Sequence, residues 1–148
     1  MRLRCLLSFD EAFIITEQAA RSHGHIDYLG QAYRNYRSSH GGVVRFGLLR
    51  YILCDLLKLD DGDYFVDLGS GCGIIPNCVG VYKPLVNSVG IEFYQPRFEI
   101  SLSTSITLHE TNNLIRSFSP PLFIHGDLTD EDTMVHHLTQ PKDRKSVV

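Results

Sequence analysis

An acid closes a short apolar run at Asp67, and glycines follow at Gly69, Gly71 and Gly73 in the stretch YFVDLGSGCG. Glycine reaches backbone angles closed to other residues and leaves no Cβ in the way, so a bulky ligand can lie against the loop Gly69-Ser70-Gly71-Cys72-Gly73. Two more acids close later apolar runs, Glu92 after NSVGI and Asp127 after LFIHG. An acid at the end of a second strand can accept both hydroxyls of a ribose. A cationic ligand end would explain a carboxylate at the top of an otherwise apolar strand. Each acid alone reads equally well as a cap or an ordinary turn residue. Three of them at successive strand ends, beside a glycine loop, form a specific constellation.

The elements that must position these residues are legible as a strand–helix alternation. FDEAFIITEQAARS (9–22) reads as a helix, with acids near its start and Gly24 after its end. From Val43 to Leu59, Phe46, Leu49, Ile52, Leu53, Leu56 and Leu57 recur at helical spacing, and Asp60-Asp61-Gly62-Asp63 ends the pattern. Tyr64–Leu68 then has the near-continuous apolar character of a strand buried on both faces. Helix is expected over Ile74–Tyr82, with Pro76 tolerated in its first turn. A second strand is expected over Asn87–Glu92. A long helix is expected from Arg97 to about Phe118, with Phe98, Leu102, Ile106, Leu114, Ile115 and Phe118 on one side. Leu122–His125 gives a third strand, and Thr129 with Asp130, Glu131 and Asp132 marks another helix start. This order predicts a doubly wound parallel α/β sheet with flanking helices, in which ligands bind beyond the carboxyl ends of the strands.

Two ligand classes compete for such a loop. A dinucleotide loop follows GxGxxG, whose third small residue lets helix pack on strand; counted from Gly69 that position is Ile74, a poor fit. DLGSGCG instead resembles the first motif of class I methyltransferases, which bind S-adenosylmethionine (SAM). The resemblance implies a partial Rossmann-like class I fold with the glycines near the methionine part of SAM and Asp67 near its amino group. It places Glu92 at the ribose and Asp127 at the adenine amino group, with Phe93 and Leu128 able to sandwich the ring. A nicotinamide dinucleotide would use the same acid at Glu92, so that residue supports a nucleoside without choosing between ligands.

Around the loop the likeness narrows. LLKLDDGDYFVDLGSGCG, VGIEF and HGDLTDED resemble the SAM-binding half of the Dot-family (disruptor of telomeric silencing) histone-lysine methyltransferases over about residues 41–148. The family carries a Tyr-Gly-Glu-Thr loop where His40-Gly41-Gly42-Val43 stands here, and often a glutamine where Ile74 stands. The resemblance divides the chain into an N-terminal helical segment, residues 1–40, and the SAM-binding half of a methyltransferase domain, residues 41–148. It implies in-line transfer of the SAM methyl group to a neutral lysine amine of a nucleosomal core histone of the H-three type, in the nucleus, with DNA contact through the nucleosome. Lys145-Ser146-Val147-Val148 looks like the start of the family's fourth strand, which lines the transfer site. The expectation is therefore an incomplete domain lacking its C-terminal half, in which no residue can be named as catalytic. Lacking its neighbour, Tyr64–Leu68 would be an exposed apolar edge, and the isolated chain poorly soluble. The alternatives are a class I methyltransferase acting on another protein, an RNA or a small molecule, and an inactive SAM-binding fragment.

Composition bounds these readings. The chain has 148 residues, 43% hydrophobic and 21% charged, enough for one domain with a core. No apolar run approaches the ~18 residues that span a bilayer. Cys5, Cys54, Cys72 and Cys78 lack metal-site spacing, and adjacent His136 and His137 do not face one way on a helix, so no metal is expected. Residues 1–50 carry seven arginines against four acids, and the remainder seven basic against thirteen acidic residues, which yields the overall −3. A basic N-terminal part permits contact with nucleic acid or chromatin. YRNYR, with Tyr33, Arg34, Tyr36 and Arg37, reads more readily as a solvated stretch than as a nucleic-acid patch.

Overall fold

The computed structural model describes residues 7–24, 46–111 and 118–131. The elements are α1 (Phe9–Ser22), α2 (Phe46–Arg50), a π-helical turn (Tyr51–Leu56), β1 (Tyr64–Leu68), α3 (Ile74–Tyr82), β2 (Asn87–Glu92), α4 (Gln95–Glu110) and β3 (Leu122–His125). The three strands form a parallel sheet in the order β1-β2-β3. Val66 pairs with Val89, Asp67 with Gly90, Gly90 with Phe123 and Glu92 with His125. The architecture is α/β and Rossmann-like, with three parallel strands flanked by helices among the described residues. The YRNYR stretch, the His40–Val43 loop, Cys5, His136-His137 and the segment Lys145–Val148 lie outside the described residues.

Side chains alternate across a strand and paired residues of a parallel ladder share a face. Phe65, Asp67, Ser88, Gly90, Glu92 and Phe123 therefore occupy one face of the sheet. The main core lies over that face: Phe9, Ala12 and Ala19 of α1, Leu49 and Leu53 of the α2 segment, Cys78, Val79 and Val81 of α3, and Leu108 of α4 pack together with Val86 and Phe118. A smaller cluster of Val89, Ile91 and Ile124 occupies the opposite face. Ser8 opens α1 with a capping box. Its hydroxyl accepts from the Glu11 N–H, and the Glu11 carboxylate accepts from the Ser8 N–H.

Three expectations are corrected. β1 is not buried on both faces: Tyr64, Val66 and Leu68 are exposed, because the main core lies over the opposite face, where Phe65 packs against it. The helix expected over Val43–Leu59 is described from Phe46 and widens into the π-helical turn at Tyr51, ending at Lys58 with φ 46°. In α4 the aliphatic stripe does not face the core: Leu102 and Ile106 are exposed, whereas Ser101, Thr104, Ser105 and Leu108 are buried. Small residues win the inner face because they let the helix approach the sheet closely, and their hydroxyls are satisfied within the helix, Ser101 on the Phe98 carbonyl and Thr104 on that of Ile100.

Candidate cofactor-binding site

β1 ends at Leu68, and the loop that follows turns back over the end of β2. The Gly69 and Ser70 N–H groups both donate to the Ile91 carbonyl at 2.9 Å, and Gly73 N–H donates to the Ser70 carbonyl at 2.9 Å. Gly71 N–H donates instead to a side chain, Glu92 Oε2, at 2.7 Å. The three glycines hold φ of 82°, 56° and 75°, the left-handed region in which a Cβ is strained. Their uses differ. A Cβ on Gly69 or Gly71 would meet nothing within 4 Å, so these two leave the backbone open. A Cβ on Gly73 would collide with Ser101 Cβ and come within 2.8 Å of the Phe123 ring, so this glycine admits α4 against the sheet.

The acids gather at the carboxyl ends of the strands. Asp67 and Glu92 share the helix-covered face, on adjacent strands. Glu92 is 6% exposed, and its other oxygen, Oε1, accepts from the Tyr94 N–H at 2.8 Å. Burial, reinforced by the negative charge of Glu92, pushes the Asp67 carboxyl up to about 6. Each oxygen of a carboxylate has two acceptor positions, so Glu92 keeps capacity for a ligand's hydroxyls.

At the end of β3, Asp127 Oδ1 accepts from both the N–H and the hydroxyl of Thr129, at 2.8 and 2.7 Å. Those bonds hold its carboxyl below the ordinary carboxylate range. They also make Asp127 the cap of its own turn, the structural use that any of these acids could have had. Phe93 is 65% exposed and Leu128 39%, which leaves both apolar surfaces open beside Glu92 and Asp127. Sequence reasoning passed over His125, whose Nε2 lies 2.8 Å from the Phe93 carbonyl and whose ring packs on Phe98 at 5.4 Å. With the proton on Nε2, His125 fixes the backbone that carries Phe93. Its one visible signal was its place as the last residue of β3, beside Gly126-Asp127.

This arrangement favours a cation over an anion. A dinucleotide pyrophosphate is held by loop and helix N–H groups. Here the N–H groups of Gly69, Ser70, Gly71 and Gly73 are spent within the protein, and Pro76 removes a donor from the first turn of α3. Two carboxylates stand beside the loop, one of them costly to ionise without a counter-charge. Open backbone at Gly69 and Gly71, acids at the three strand ends and the exposed Phe93 and Leu128 fit the parts of SAM. Cys72 is no nucleophile for this site: burial, partly opposed by the Arg97 charge, pushes its thiol up to about 11. Among the described residues no cluster of His, Cys, Asp and Glu could hold a metal, and no described helix is long and apolar enough to cross a membrane.

No curated protein matches the chain. The family model described as histone methylation protein DOT1 matches residues 25–141, well over half the sequence and spanning the glycine loop and all three acids. The chain therefore belongs to the DOT1 family of histone methyltransferases.

Proposed function

We propose that this chain binds SAM and is the cofactor-binding part of a histone-lysine methyltransferase acting on a lysine of a nucleosomal core histone of the H-three type. The carrying observation is the Asp67–Glu92 carboxylate pair beside a glycine loop whose N–H groups at Gly69, Ser70, Gly71 and Gly73 are already committed. In this reading Asp67 receives the ligand's ammonium group and Glu92 its ribose hydroxyls. Asp127 receives the adenine amino group through Oδ2, the oxygen not used by Thr129, while Phe93 and Leu128 flank the ring. SAM, when bound, supplies a methyl group on a sulfonium, open to in-line attack by a neutral amine. Family membership supports a histone substrate, and a nuclear location and contact with nucleosomal DNA belong to the same proposal.

The test is incubation of the whole enzyme of which this chain is the cofactor-binding part with methyl-tritiated SAM and, in parallel, reconstituted nucleosomes, free RNA and a protein mixture. Label in the H-three histone of the nucleosome, lost when Asp67 and Glu92 are both changed to alanine, is the expected result. Label in the RNA or in non-histone protein, with none in histone, would contradict the proposed substrate.

A further inference from the structure

We propose that Glu92 is, in addition, a positioning residue: its carboxylate holds the glycine loop in a ligand-ready shape before any cofactor arrives, coupling the ribose end of the site to the methionine end. The inference rests on the reading of the site as one for SAM. Gly69 and Ser70 hang from the Ile91 carbonyl, and Gly73 closes onto Ser70. Gly71 lies between these tethers, and the bond described for its N–H runs to Glu92 Oε2, at 2.7 Å. The second carboxylate oxygen is anchored on Tyr94 N–H, where the chain turns into α4. One buried carboxylate therefore ties the middle of the loop to the β2–α4 turn. An amine, hydroxyl or amide in its place cannot serve both N–H groups as an acceptor with two ionised oxygens does. Gly71 holds φ 56° with open space where a Cβ would be, so no side chain of its own packs it in place.

Two readouts separate this role from ribose recognition. The first is amide hydrogen exchange of ligand-free protein by NMR, comparing wild type with Glu92→Gln. Exchange at Gly71 should rise roughly tenfold or more on loss of a charge-assisted bond, while Val89 and Ile91 keep their protection. Should that variant fail to fold, the wild type suffices: the Gly71 amide should be protected from exchange alongside those of Gly69 and Ser70, and an unprotected Gly71 would overturn the clamp. The second is a binding cycle with SAM and its 2′,3′-dideoxy analogue. A positioning role predicts that Glu92→Gln weakens the analogue as well, by several-fold or more. Unaltered Gly71 exchange, or an analogue that binds wild type and variant equally, would overturn the proposal and leave Glu92 a ribose ligand alone. A protein that binds neither ligand would overturn the SAM reading, and the amide measurement, made without ligand, would still decide the clamp.

Discussion

Changing Asp67 to asparagine should stabilise the ligand-free protein at neutral pH while weakening its hold on a cationic ligand. The Asp67 carboxyl is half-buried near Glu92, and its ionisation is displaced from 3.8 to about 6, chiefly by burial. At about 1.4 kcal/mol per tenfold change, ionising it in the fold costs up to about 3 kcal/mol, and solvent screening of a half-buried group reduces this to about 1–2 kcal/mol. The folded state keeps this proton to about pH 6, whereas the unfolded chain loses it near pH 4. Wild-type stability must therefore fall, through this residue, as pH rises from about 4 to above 6. Asparagine does not ionise, so the variant escapes the fall. Urea unfolding of both proteins at pH 4 and pH 7.5 measures it, since carboxylates that do not interact with Asp67 cancel in the difference. Near-equal stability at pH 4 and a variant about 1–2 kcal/mol more stable at pH 7.5 is the expected pattern. A variant less stable at pH 7.5, or a difference independent of pH, would refute the reasoning.

The glycines should separate in the same unfolding assay. Gly73→Ala adds a positive-φ strain of roughly 1–2 kcal/mol and an overpacking cost of about 1–3 kcal/mol against Ser101 and Phe123, whereas Gly69→Ala carries only the strain. Ser8→Ala removes the α1 capping box and should cost about 1 kcal/mol in urea unfolding. Tyr64, Val66 and Leu68 make β1 an apolar strand with an open edge among the described residues. Val66→Lys should reduce concentration-dependent self-association, followed by light scattering, and change stability by no more than about 1 kcal/mol.

β1, β3 and α3 were legible because turn residues stand close on both sides of each run: Asp63 and Gly69, Pro121 and Gly126, Gly73 and Pro84. The acids Asp67, Glu92 and Asp127 were legible as the polar residues at or near the end of each apolar run. Burial was less legible. Apolar periodicity on α4 pointed to Leu102 and Ile106, yet the helix lies against Gly73 with Ser101 inward, and the small Ser and Thr face is the buried one. The exposure of one face of β1 depends on which elements cover it, a long-range fact that five residues cannot encode. The division of labour among the glycines was equally hidden, because GxGxG looks uniform while only Gly69 and Gly71 face open space. That Glu92 binds the loop itself, through Gly71, could be seen only once β2 had been placed beside β1.

The central claim, that this site takes SAM rather than a dinucleotide, is tested most directly by titration calorimetry of the folded protein with SAM and with NAD. SAM binding that is weakened at least tenfold by Asp67→Ala and by Glu92→Ala, with no heat from NAD, is the predicted result. Binding of NAD without SAM would contradict it.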